Sequence, residues 1–152
     1  AVHLNKVLPE IIELLNPPTH IQIEIQKKLP VIYGEKTRIH QLFQNLLSNA
    51  IKYNDKPQGK VKVACEDDGA FWRFDVSDNG VGIDEKYHER IFGLFQTLGS
   101  SESAENTGVG LSLVKKIVEL YGGKMGVQSK PGQGSTFWFT FPKQRERERV
   151  KT

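Results

Sequence analysis

The sequence predicts an α+β domain: a two-layer sandwich in which a mixed, mostly antiparallel sheet carries about three helices on one face. Strand-like segments come in pairs joined by turn residues, which is the pattern of hairpins. Helical periodicity recurs in three separate amphipathic stretches. These stretches are interleaved with hairpins instead of alternating with single strands, which argues against a doubly wound parallel sheet.

Leu4, Val7, Leu8, Ile11, Ile12, Leu14 and Leu15 recur at helical spacing, and Pro17-Pro18 stops that helix. Ile21, Ile23 and Ile25 alternate with polar residues, the period of a half-buried strand. Leu29 to Tyr33 reads as a short extended piece. From Glu35 to Tyr53 the helical period returns, with Ile39, Leu42, Phe43, Leu46, Leu47, Ala50 and Ile51 as the apolar stripe. Asn54 to Pro57 breaks it. Strands over Lys60 to Glu66 and Phe71 to Ser77 follow, joined by Asp67-Asp68-Gly69. A short helix is expected around Glu85 to Phe92, and a polar, mobile loop over residues 96 to 107. Val109 to Tyr121 is the last amphipathic helix, closed by Gly122-Gly123. Strands over Lys124 to Ser129 and Ser135 to Phe141 complete the domain, 1–142, and residues 143–152 read as a charged tail or linker.

Composition narrows the function. The 152 residues are 38% hydrophobic and 26% charged, within the range of a soluble domain with one core. The net charge of +3 comes from Lys and Arg scattered among acids, not from a basic stripe, so no nucleic acid partner is expected. The one cysteine, Cys65, lies in a strand-like run, where it reads as a small apolar residue, and it excludes a disulfide framework. That usage points to a reducing, cytoplasmic setting. No apolar run approaches the roughly 20 residues that span a bilayer, and no membrane contact is expected of this domain. The chain begins with Ala1 and no signal peptide is visible, so it reads as a processed or excised piece of something longer, whose full form could be membrane-anchored.

Four short motifs carry chemistry. On the long helix, at about 100° per residue, Asn45, Asn49 and Lys52 cluster away from the apolar stripe. Two amides and an ammonium suit Mg²⁺ and phosphate, although a plain solvated face explains them as well. Asp78-Asn79-Gly80-Val81-Gly82 follows a strand, and an acid there can accept from an amino group such as that of adenine. An ordinary turn is the plainer reading. A dinucleotide fingerprint fits poorly, because Glu85 stands at the third glycine position. Thr107-Gly108-Val109-Gly110-Leu111 opens a helix, where bare N–H groups can bind phosphate or Thr107 can simply cap. It is no P-loop, since no Gly-Lys-Ser/Thr follows. Gly132-Gln133-Gly134-Ser135-Thr136-Phe137 is a tight turn into a strand, where the Thr136 hydroxyl could stand near a base.

These motifs, together with Arg90-Ile91-Phe92-Gly93-Leu94-Phe95, occur in an order that resembles the N, G1, F, G2 and G3 boxes of sensor histidine kinases. Those kinases belong to the wider ATPase group that includes gyrase, Hsp90 and MutL, with its Bergerat ATP-binding fold. The resemblance covers roughly residues 1–142. It implies ATP and Mg²⁺ as cofactors. It implies Asn49 as the Mg²⁺ ligand, Asn45 lining the same site, Lys52 on phosphate and Tyr53 on adenine. Asp78 would hold the adenine amino group, in a pocket shaped by Gly80, Gly82 and Ile83. Phe92 and Phe95 would anchor a lid over residues 96 to 107, and Thr107, Gly108, Val109, Gly110 and Leu111 would close the phosphate side. Thr136 would complete the base pocket.

Two positions depart from the pattern. Thr97 stands where many relatives carry an Arg that reaches the γ-phosphate, and Asn106 where a glycine often opens the G2 box. The resemblance further implies γ-phosphoryl transfer to a histidine on a separate dimerisation domain, the direct partner, with a response regulator receiver domain downstream. None of His3, His20, His40 or His88 has the setting expected of that acceptor. A gyrase-like or Hsp90-like hydrolase would need a Glu base where Asn45 stands, and an amide takes no proton. A serine kinase of the anti-sigma type and a degenerate nucleotide- or partner-binding module are the other readings.

Overall fold

The computed structural model describes residues 1–83 and 109–143. The first helix, α1, spans Leu4–Leu15 and ends where Asn16 turns into the left-handed region (φ 46°) ahead of the prolines. The long helix, α2, spans Lys36–Lys52, and α3 spans Val109–Leu120. The strands are β1 Val2–His3, β2 Ile21–Ile25, β3 Val31–Ile32, β4 Gly59–Asp68, β5 Phe71–Asp78, β6 Met125–Lys130 and β7 Gly134–Pro142. Five of them form one sheet in the order β2-β4-β5-β7-β6. Its neighbours are antiparallel except β2 and β4, which run parallel because the chain crosses between them over α2. The expected fold class is therefore observed. The separate β1-β3 pair, Val2 opposite Ile32, was not anticipated.

Strand alternation sets the layers. Val61 and Val63 of β4, Phe74 and Val76 of β5, and Phe137, Phe139 and Phe141 of β7 all face the buried core. The α2 stripe Ile39, Leu42, Phe43, Leu46, Leu47 and Ala50 is buried as predicted, and Leu111, Val114, Ile117 and Val118 of α3 join it. At the centre, Phe74 and Phe139 stack at 5.0 Å between centroids, and Phe43 meets both edge-on at 5.6 and 5.5 Å. Such pairs add about 0.5–1.5 kcal/mol each beyond the area they bury.

The far end of the helical layer is fixed by Tyr121. Its ring packs 4.8 Å from Phe141, and its hydroxyl accepts the Glu35 N–H at 2.9 Å, where α2 begins. Gly122 (φ 81°) lets the chain leave α3, with the Gly123 N–H donating to the Val118 carbonyl. Lys143, the first residue of the expected tail, is tied down: its ammonium lies 2.5 Å from Asp67 and 4.6 Å from the Trp72 ring centroid. Cys65 packs part-buried against the core, where burial first, and then Asp75, pushes its thiol up to about 12. It serves there as a small side chain against the core, as its strand position predicted.

Phe74→Ala would open a cavity at the junction of the aromatic triad. A loss of about 3–5 kcal/mol is expected in urea denaturation, with an unchanged m-value.

Candidate functional site

The site forms where the C-terminal half of α2 passes the ends of β5 and β7. Burial of the Leu/Phe stripe fixes the rotation of α2, and that rotation decides where its amides point. Asn45 and Asn49 are half-buried and Lys52 is exposed. The Asn49 Oδ1 is closed off from solvent with no hydrogen-bond partner among the described residues. An unpaired buried carbonyl of this kind costs roughly 1–3 kcal/mol. The Asn45 amide faces Gly110 on α3: a Cβ added to that glycine would sit 3.3 Å from the Asn45 Oδ1. Gly110 therefore lets the start of α3 approach the amide face of α2 closely. The Lys52 ammonium lies 5.9 Å from the Tyr53 ring centroid, at the C-terminal end of α2.

The second half is built around Asp78 at the end of β5. Its carboxylate accepts the Gly80 N–H at 2.8 Å and also a backbone N–H from Ser135, directly opposite on β7. Burial outweighs those two bonds and pushes Asp78 up to about 6. The loop after it leaves no room for a side chain at either of its glycines. A Cβ on Gly80 would run into the Tyr53 carbonyl, and one on Gly82, at φ 74°, into the Lys130 carbonyl.

Polar ties lock this loop from both sides. The Val81 N–H donates to the Tyr53 carbonyl at 3.1 Å, and the Gly132 N–H to the Val81 carbonyl at 2.6 Å. The Asn79 Oδ1 accepts from the Asn54 side chain and from the Lys60 N–H, both at 2.8 Å, while its Nδ2 donates to the Gln58 carbonyl at 3.0 Å. Ile83 donates its N–H to the Ser129 hydroxyl at 2.7 Å. Asn54, read from sequence only as a helix breaker, is instead a buried member of this network.

The structure brings together Asn45, Asn49 and Gly110 on one side, and Tyr53, Asp78, Gly80, Gly82 and Ile83 on the other. Two expected residues fall elsewhere. Leu111 is buried in the core at 2% exposure, so it supports the site from beneath instead of lining it. Thr136 is one residue out of phase with Phe137 and Phe139, so it points to the other face of the sheet, where its hydroxyl donates to Ser77 at 3.1 Å. The hydroxyl on the Asp78 side belongs to Ser135, a buried residue the sequence reading did not single out. The signal was available in the alternation of Phe137, Phe139 and Phe141, which puts position 135 on their side. Phe92, Phe95, Thr97, Asn106, Thr107, Gly108, the helix near Glu85 and the loop 96–107 lie outside the described residues, as does the Val109 side chain.

With this geometry in place, the comparisons with known proteins are specific. Residues 34–145 match the family model described as histidine kinase-, DNA gyrase B-, and HSP90-like ATPase. The chain belongs to that ATP-binding family. Among curated proteins it is 42% identical over 142 residues to cyanobacterial phytochrome B of Nostoc, covering 90% of this chain and 19% of that protein. Among solved structures it resembles full-length ShkA in complex with AMPPNP, at 31% identity and a TM-score of 0.76 over 93% of this chain and 30% of that one. It also resembles the catalytic domain of histidine kinase ThkA, at 31% identity and a TM-score of 0.71 over 93% of each chain. The chain thus spans about a fifth of the length of the curated relative and nearly all of an isolated catalytic domain. Among the described residues, no helix is long and apolar enough to cross a membrane.

The raised Asp78 gives a stability test. The folded carboxyl holds its proton more tightly than the unfolded one, so the native state binds more protons between about pH 3.8 and 6. Unliganded stability should therefore fall as pH rises through that window, and the whole penalty of about 3 kcal/mol at most is present above it. Asp78→Asn is expected to flatten this dependence, read as denaturation midpoints across pH 4 to 8.

Proposed function

We propose that this chain is the ATP-binding catalytic domain of a sensor histidine kinase, which transfers the γ-phosphoryl group of ATP to a histidine on a separate dimerisation domain. A response regulator receiver would take the group onward. The observation that carries the reading is the pairing of a part-buried Asp78 acceptor with a loop that has no room for a side chain at Gly80 or Gly82, at the end of the sheet that α2 passes with its amides. Membership of the ATPase family and likeness to the ThkA catalytic domain support it. The domain comprises residues 1–142, with Lys143 as its anchored edge and the remainder as tail or linker. Its setting is the cytoplasm.

Asp78 would accept from the adenine amino group, and Tyr53 and Ile83 would flank the base. Lys52 would meet the phosphates as a point charge. The unpartnered Asn49 Oδ1 is a hard, neutral oxygen donor of the kind Mg²⁺ takes, so Asn49 fits as its ligand, with Asn45 one turn before it. When bound, the ion would neutralise charge that develops on the transferring phosphoryl group. By the motif resemblance, Thr107, Gly108, Val109 and Gly110 would close the phosphate side and Phe95 would anchor a lid. Asn45 supplies no general base, which favours transfer over attack by water.

Mg-ATP should raise the melting temperature of the purified chain by several degrees, and Asp78→Asn should abolish that shift. Labelled phosphate should stay off this chain alone and appear on an added dimerisation domain only when its acceptor histidine is intact. A parent protein without a nucleotide-dependent shift would overturn the reading.

A further inference from the structure

One hydroxyl behind the base pocket, that of Ser129 on β6, makes three contacts. It accepts the Ile83 N–H at 2.7 Å, donates to the Gly134 carbonyl at 2.8 Å, and lies 2.7 Å from the Ser135 hydroxyl. Ser129 has one proton, and the Gly134 carbonyl can only accept it. The short contact to Ser135 therefore requires the Ser135 hydroxyl to donate to Ser129. Among the described residues Ser129 is the hydroxyl's one hydrogen-bond partner. Ser135 is then left with only lone pairs on the side it shares with Asp78.

From this arrangement we propose that Ser129 is a positioning residue for base specificity: it fixes Ser135 as a hydrogen-bond acceptor. Together with the Asp78 carboxylate, it makes the pocket edge all acceptor. An exocyclic amino group, with two N–H donors, satisfies such an edge. A carbonyl at the same ring position, as in hypoxanthine or guanine, would meet two acceptors and no donor, and sites of this kind discriminate strongly. Ser129 also holds the Ile83 backbone, so base position and base chemistry are governed by one side chain. The inference rests on the nucleotide-binding reading above, with Asp78 at the base.

The test is equilibrium binding of ATP and ITP by calorimetry to the parent chain and to Ser129→Ala, Ser129→Thr and Ser135→Ala, each first checked by thermal melt. In Ser129→Ala the Ser135 hydroxyl is free to turn and donate to a carbonyl. The ratio of ITP to ATP dissociation constants should then fall about tenfold, the worth of one hydrogen bond. Ser129→Thr keeps the hydroxyl and should stay within about twofold of the parent. Ser135→Ala removes the acceptor itself and should lower the ratio as Ser129→Ala does, which keeps the test sharp if Ser129→Ala does not fold. An unchanged ratio in Ser129→Ala, or in Ser135→Ala where Ser129→Ala does not fold, with both nucleotides weakened equally, would reduce Ser129 to a structural role and overturn the proposal. A parent that binds neither nucleotide would overturn the function reading and this inference with it. A parent that binds ATP and ITP equally would overturn this inference alone.

Discussion

The site depends first on the rotation of α2, and that rotation is set by Phe43. Its ring meets the stacked pair Phe74 and Phe139 edge-on from the helical layer. A helix turns about 100° per residue, so a slip of one position would pull Phe43 out of this contact and swing Asn49 away from its sheltered orientation. Every apolar residue of the stripe would move with it. The energy holding Asn45 and Asn49 in place is therefore core energy, drawn from Leu42, Phe43, Leu46 and Leu47, all at most 1% exposed. Tyr121 extends the same constraint to the start of α2 through the Glu35 N–H.

The base side is held differently. The loop from Asp78 to Gly82 buries little apolar surface: Val81, its one large apolar residue, is 39% exposed, and only Ile83 beyond it packs against the core. Its position comes instead from hydrogen bonds that converge on three side chains: Asn54, Asn79 and Ser129. Hydrogen bonds are directional where apolar contact is not, and a base edge is read by direction. The two halves of the site thus rest on the two kinds of force suited to them. Packing aims the amides of α2, and a polar lattice fixes the acceptors around Asp78.

The sequence made the three described helices legible almost to the residue, because an apolar period sustained over many residues has one reading. Observed α2 differs from the predicted stretch by one residue at each end. The glycine motifs were legible as a set and in order, while the reason for each glycine was not: Gly82 is required by the Lys130 carbonyl, which arrives from a strand about 50 residues away. The parallel β2-β4 pair was not read out because pairing across a crossover leaves no local trace. The placement of Thr136 is a matter of parity. A strand side chain changes face with each residue, so a hydroxyl one position out lands on Ser77 and not beside Asp78.

Two features of the unliganded domain work against its own stability. Asp78 is held where its charge is poorly solvated, and the Asn49 Oδ1 is closed from water without a partner among the described residues. A sequence selected for stability alone would pair the Asn49 oxygen and leave Asp78 better solvated, or replace both with apolar groups. Both lie on residues that the nucleotide reading needs, and neither lies elsewhere in the core. Desolvated groups of this kind gain most when a matching ligand arrives, because the desolvation cost has already been met in folding. The core aromatics can carry that cost: three phenylalanines in mutual contact stabilise the same helix and strands that hold the two desolvated polar groups. Stability is concentrated at the centre of the sandwich, and the binding free energy is held in reserve at its end.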